Sequence, residues 1–269
     1  MEFDISNHLS KMSQAQNRFF QALKMTNFLG LENAVSNISL LTEKGEIDFK
    51  NGKEALFAED IFSRCISETF AFCSCLRYGA FYPSYHHLRA MMEFGSVIEF
   101  IAKHLDDPEQ WLERYVLFPD IRSYKYNKNL PKKERIASQS QIDNWAQSIG
   151  EWERVFGKKQ QKITKWHSPK SVSQIIEIRG SKYLEHYGRI CHFTHFCSLG
   201  MKASRKNLIG FPEMDRPGGL EKLKTLINSM ISELYFALIS LGKHNFISSK
   251  KLQEYTSLLL TLNILEYGT

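Results

Sequence analysis

The chain has 269 residues, 43% hydrophobic and 13% aromatic, and a formal charge of +6. That apolar content supplies a real core and excludes wholesale disorder. With 7 Pro and 15 Gly, the long unbroken segments favour helices over a many-turned β architecture, and the length suits one large domain or one domain with an appendage.

Residues 1–30 read as a helix. Ser6 or Asn7 caps it, and Phe19, Phe20, Leu23, Phe28 and Leu29 supply apolar contacts before Gly30. Residues 31–52 hold two Gly-containing turns and a short alternating piece, and read as loop with one more helical turn. A strong helix is predicted from Lys53 to Tyr78, because Leu56, Ile61, Phe62, Cys65, Ile66, Phe70 and Cys73 follow a 3.6-residue period. GAFYPS breaks it, with Gly79 suited to a helix stop and Pro83 to the next start. The following helix, Pro83 to Leu105, forms an antiparallel hairpin with the first. Further helices are predicted over Glu109–Lys125, Gln139–Phe156, Ser171–Arg179, Lys182–Leu199, Gly219–Leu241 and Ser248–Leu265. NKNLPKKER and Lys158–Pro169 read as basic linkers. The expected fold is therefore an all-α helical bundle with antiparallel hairpins. Residues 1–52 form an N-terminal helix and loop packed on a 53–269 bundle domain, together one compact unit.

Tyr183, Tyr187, Cys191 and His195 recur every fourth residue, which puts them on one helix face. This face is half aromatic and half polar, unlike an ordinary Leu/Ile/Val core stripe. On the 83–105 helix, Arg89 and Glu93 are spaced i,i+4 among apolar neighbours. They read either as a surface ion pair or as a buried pair that meets the Tyr187/His195 face. In the second case His195 sits in a charge-compensated site and can act as acid or base. The plainer alternative is a satisfied core histidine at a helix crossing.

All the basic excess lies in one segment. Between Asp120 and Lys170 twelve Lys/Arg accompany five Asp/Glu, so the rest of the chain sums to about −1. Lys125, Lys128, Lys132, Lys133, Lys165 and Trp166, interleaved with Tyr124 and Tyr126, suit single-stranded nucleic acid through phosphate contacts and stacking. The alternative is a solvated connector with core-facing tryptophans. Cys65, Cys73, Cys75, Cys191 and Cys197 form no C-x-x-C pair and read as reduced thiols of a cytosolic protein. The start MEFDISNHLSK is polar from its second residue, so no signal peptide is expected. The apolar run Leu226–Leu241 is interrupted by Asn228, Ser229, Ser232 and Glu233 and reads as too short and polar to span a bilayer of ~30 Å. No metal-ligand spacing and no phosphate-cradling glycine motif is present, so no cofactor and no membrane partner are expected.

Three stretches together carry a resemblance: LRAMMEF (Arg89, Glu93), KWHSPKSVSQIIEIRG (Trp166, Lys170, Ser171) and YGRICHFTH (Tyr187, Cys191, His195). In this order they resemble a bacterial domain-of-unknown-function family, number 5677, over about Lys53 to Leu199. Cys191 stands where that family usually has Ser, replacing a hydroxyl by a weak donor. Arg189 and His195, with five residues between them, also fit the Arg-(four to six)-His pattern of HEPN ribonucleases. Arg179 and His186 make a second such spacing. The resemblance implies an all-helical cytosolic protein, some of whose relatives look like parts of phage-defence or abortive-infection systems. The functional expectation is a HEPN-like, metal-independent endoribonuclease or toxin acting on RNA. Arg189 binds phosphate, His195 is the acid/base, and Arg89, Glu93 and Tyr187 orient it. A homodimer and a protein partner in a defence operon accompany that reading. The alternative is a non-enzymatic helical binding or sensor module of unknown ligand.

Overall fold

A computed structural model of the chain describes residues 5–49, 53–103, 108–135, 137–156, 172–194 and 217–267. It is an all-α bundle of α1 (Ile5–Lys24), α2 (Phe28–Glu43), α3 (Lys53–Arg77), α4 (Phe81–Lys103), α5 (Pro108–Asn129), α6 (Gln139–Phe156), α7 (Val172–Ile176), α8 (Ser181–Thr194), α9 (Gly219–Lys243) and α10 (Lys250–Tyr267). A two-residue antiparallel ladder joins β1 (Asp48–Phe49) to β2 (Ile247–Ser248).

The α3–α4 hairpin forms as expected. Gly79 takes φ +70°, which glycine alone adopts without cost. Its N–H donates to Leu76 and that of Ala80 to Cys75, so two orphan carbonyls of α3 are satisfied. Pro83 falls in the first turn of α4, where no intrahelical donor is required. Leu88, Met91, Met92, Ile98 and Ile101 of α4 are fully buried, and so are Met230, Ile231, Leu234 and Ala237 of α9. These two helices are the axis of the core. Phe19 of α1, Phe28 and Ile38 of α2 and Leu259 of α10 belong to the same core cluster.

The expected loop over 31–52 is largely helix. Leu31, Ala34, Val35, Ile38 and Leu41 bury one face of α2, and the expected single helix over 1–30 breaks at Met25–Asn27. Thr26 Oγ1 accepts the Phe28 N–H at 3.2 Å, and Asn27 Nδ2 donates to the Leu262 carbonyl at 2.6 Å. Gly30 is not a stop. It lies inside α2, where a Cβ would come within 2.7 Å of Leu262 Cδ2, so its missing side chain admits α10.

The basic NKN segment is also helical, since α5 continues to Asn129 and a 3-10 turn covers Lys132–Glu134. The Arg135 guanidinium donates to the carbonyls of Leu130 (3.2 Å) and Lys128 (3.0 Å), tying down that end. α5 and α6 form a hairpin with a small core of its own, Leu117, Phe118, Ile121 and Trp152. Finally, α9 is long and apolar enough to cross a membrane, with a mean hydropathy of 1.3 over its best window. The apolar run Leu226–Leu241 is part of this longer helix. Some 61% of that window is buried inside the protein.

Candidate functional site

α4 and α8 lie side by side, and their seam is polar. Arg89 Nε donates to Glu93 Oε1 at 2.9 Å and to Tyr187 Oη at 3.3 Å. Tyr187 Oη in turn donates to Glu93 Oε1 at 2.6 Å. Arg89 Nη1 reaches Thr194 Oγ1 at 3.4 Å, and the guanidinium lies 5.9 Å from the Tyr187 ring centroid. Burial raises the Tyr187 pKa above its ordinary value, and the bond to Glu93 pushes it the same way. The phenol is therefore a fixed donor, not a base. The Arg89 and Glu93 side chains are 26% and 30% exposed, so the cluster is half-buried and open at one side.

Of the sequence-singled residues, the structure brings Arg89, Glu93 and Tyr187 together. Arg189 stands on the outer side of α8, paired with Glu185 one turn earlier, and the two side chains are 71% and 66% exposed. His195, Lys165 and Trp166 lie outside the described residues. Lys132 begins the 3-10 turn. Lys125 is half-buried on α5, Lys133 is exposed, and exposed Lys128 sets its ammonium 5.8 Å from the Tyr124 centroid.

A second cluster escaped the sequence reading. Arg179, just before α8, pairs with Glu233 of α9, and their side chains are only 13% and 7% exposed. Arg179 Nη1 also donates to Tyr183 Oη, and Tyr183 Oη donates to Glu233 Oε2 at 2.8 Å. The guanidinium is sandwiched 3.7 Å from the Tyr183 centroid and 3.6 Å from that of Phe236. Gly95 of α4 makes room, because a Cβ there would sit 3.3 Å from Arg179 Nη1. The signals were present separately. Glu233 interrupts an apolar run, Tyr183 lies on the four-residue stripe, and Arg179 forms half of the second Arg…His spacing.

Further along α4, Glu99 accepts from Ser240 Oγ at 2.7 Å and from His244 Nε2 at 3.3 Å. Burial alone would raise the Glu99 pKa, but the Ser240 and His244 bonds outweigh it and leave the carboxyl below its ordinary value. Among the described residues no three His, Cys, Asp or Glu side chains gather closely enough to hold a metal.

Residues 60–207 match the profile of a family of unknown function, DUF5677. The chain belongs to this family. No curated protein and no solved structure matches it. The DUF5677 region runs from the first turns of α3 through α8 and takes in all of the Arg89–Glu93–Tyr187 cluster. Glu233 lies beyond it, so this DUF5677 protein anchors Arg179 with a helix outside the family region.

Proposed function

We propose that this DUF5677 protein is a metal-independent endoribonuclease whose working helix is α8, acting as a homodimer in a phage-defence or abortive-infection setting. The carrying observation is the Arg89–Glu93–Tyr187–Thr194 network. It holds the inner face of α8 against α4 and leaves Arg189 in solvent. The Arg189–Glu185 pair is exposed, and such pairs contribute roughly 0–1 kcal/mol. A phosphodiester can therefore draw the guanidinium away at little cost and gain a bidentate, charge-assisted contact. Arg189 neutralises the phosphate and the charge that develops on it. His195, which follows Thr194, transfers the proton. Arg89, Glu93 and Tyr187 act through position, as a charge-compensated couple beneath the end of α8.

A specific observation also supports RNA contact through the α5–α6 hairpin. Around its tip Lys128, Lys133 and Arg135 are exposed, and on the last turns of α5 so are Arg122 and Tyr126, the latter 69%. On this reading the hairpin is an electrostatic arm for the substrate, and affinity falls steeply with salt. If that arm is the whole function, the protein is a non-enzymatic RNA-binding module.

The test is incubation of purified protein with total RNA in EDTA, beside His195→Ala. Cleavage by wild type alone supports the ribonuclease. Cleavage by both proteins, or by neither, removes it, and salt-sensitive binding without cleavage favours the module.

A further inference from the structure

Where α1 turns into α2 and meets the end of α3, the surface holds a cleft of about 370 Å³. The ribonuclease reading makes no use of it. Phe20, Leu23, Phe28 and Leu29 supply its apolar lining, and Lys24 and Arg77 its charged groups. Leu23 and Phe28 are buried, whereas Leu29 stays 51% exposed. The volume falls within the range of small-ligand sites, roughly 300–1,000 Å³. Of these residues only Arg77 lies inside the family region 60–207, so the cleft is chiefly a property of the two N-terminal helices.

The charges narrow the choice of occupant. α1 contains Lys11, Arg18 and Lys24 and no Asp or Glu. Among the described residues no carboxylate lines the cleft, and exposed Lys24 forms no ion pair. Arg77 gives its Nε and Nη2 to Glu32, which leaves the Nη1 donors of the fork. With Glu32 counted, Lys24 and Arg77 leave a net charge of +1. That matches a monoanion and undercompensates a phosphate dianion or a nucleic acid. The Arg77 guanidinium lies 5.8 Å from the Phe28 ring centroid, so charge and apolar floor adjoin.

The walls are also held in place. Thr26 Oγ1 donates to the Leu23 carbonyl at 2.6 Å and accepts the Phe28 N–H. The Met25 N–H donates to the Ala22 carbonyl at 3.0 Å. These bonds satisfy carbonyls at the end of α1 that would otherwise repel an anion. Asn27, bonded to Leu262, fixes the same turn from α10. A ligand therefore meets ordered backbone and loses little affinity to ordering it.

We propose that this cleft binds an aliphatic monocarboxylate of the medium-chain fatty-acid class. The acyl chain lies against Phe20, Phe28 and Leu29 and covers the exposed leucine. Lys24 and Arg77 hold the carboxylate.

The test is isothermal titration of the full chain with sodium decanoate, beside amide NMR shifts. Saturable one-to-one binding is expected, with the largest shifts around Gln21 and Leu29. Octanoate, two methylenes shorter, is expected to bind about 15-fold more weakly. Lys24→Gln is expected to weaken decanoate about 10-fold, the loss of one charge-assisted contact. Decanol, which keeps the chain and lacks the charge, is expected to bind more weakly than decanoate. Leu29→Gln is expected to weaken binding through the chain at unchanged Tm. The proposal is overturned if decanoate does not saturate, if decanol binds as tightly, or if either variant binds like wild type. Shifts centred on the α4–α8 seam instead of the α1–α2 turn overturn it as well.

Discussion

The buried Arg179–Glu233 pair offers the sharpest test of the packing. Arg179→Ala removes the guanidinium that bonds Glu233 and stacks between Tyr183 and Phe236. The carboxylate left behind is 7% exposed, too enclosed for water to replace what is lost. Breaking such a pair from one side costs roughly 3–5 kcal/mol. For a chain of this size that corresponds to a fall in Tm of about 6–20 °C. Arg189→Ala removes an equal charge from an exposed pair and is expected to cost at most about 1 kcal/mol. Urea unfolding followed by helical circular dichroism compares the two. Adding Glu233→Gln to Arg179→Ala should recover part of the loss, since the orphaned charge disappears. Equal destabilisation by Arg179→Ala and Arg189→Ala, or no recovery in the double variant, refutes the reasoning.

Tyr187→Phe removes the donor to Glu93 while keeping the ring and is expected to cost about 1–3 kcal/mol, read from the same unfolding curves. Replacing the whole cluster, Arg89→Met with Glu93→Leu and Tyr187→Phe, should leave stability nearly unchanged but broaden the amide NMR spectrum of α8, because two apolar faces can slide. The Cys73 thiol is buried and pushed up to about 12, and burial raises Cys65 as well. Both are expected to resist a thiol-disulfide reagent in native protein and to react in urea. Glu99 titrates below the ordinary carboxyl value of 4.5 in the folded state. Its contribution is therefore complete above that value and is lost as pH falls through the folded pKa; Ser240→Ala should flatten the acid limb of stability against pH.

The α3–α4 hairpin was legible because a 3.6-residue apolar period, a glycine stop and a proline start all agreed. The Arg89–Glu93 pair was legible because i,i+4 spacing is local, and Tyr187 because the four-residue stripe assigns it a face. The Arg179–Glu233 pair was not. Its members are 54 residues apart, and each alone resembles an ordinary charge beside an apolar run. α2 was missed for a different reason. Gly30 is a helix stop by intrinsic preference, but tertiary approach of Leu262 explains it better. The basic stretch after Lys125 contains no strong breaker before Pro131, so helix continued where charge alone suggested a linker.

The three clusters have a common logic. Arg89, Glu93 and Glu99 lie along α4, and each meets a polar partner on α8 or α9: Tyr187 for the first two, Ser240 for the third. Apolar helix faces tolerate several registers, whereas a polar ladder tolerates one. A one-residue rotation of α8 turns every side chain by ~100° and strands Tyr183 and Tyr187 away from Glu233 and Glu93. Each stranded donor or acceptor costs roughly 1–3 kcal/mol. The same constraint decides which residues face outward. With Tyr183 and Tyr187 pinned inward, His186 is held half-buried at the edge of α8 and Arg189 outside it, so the polar couples fix which α8 side chains face outward.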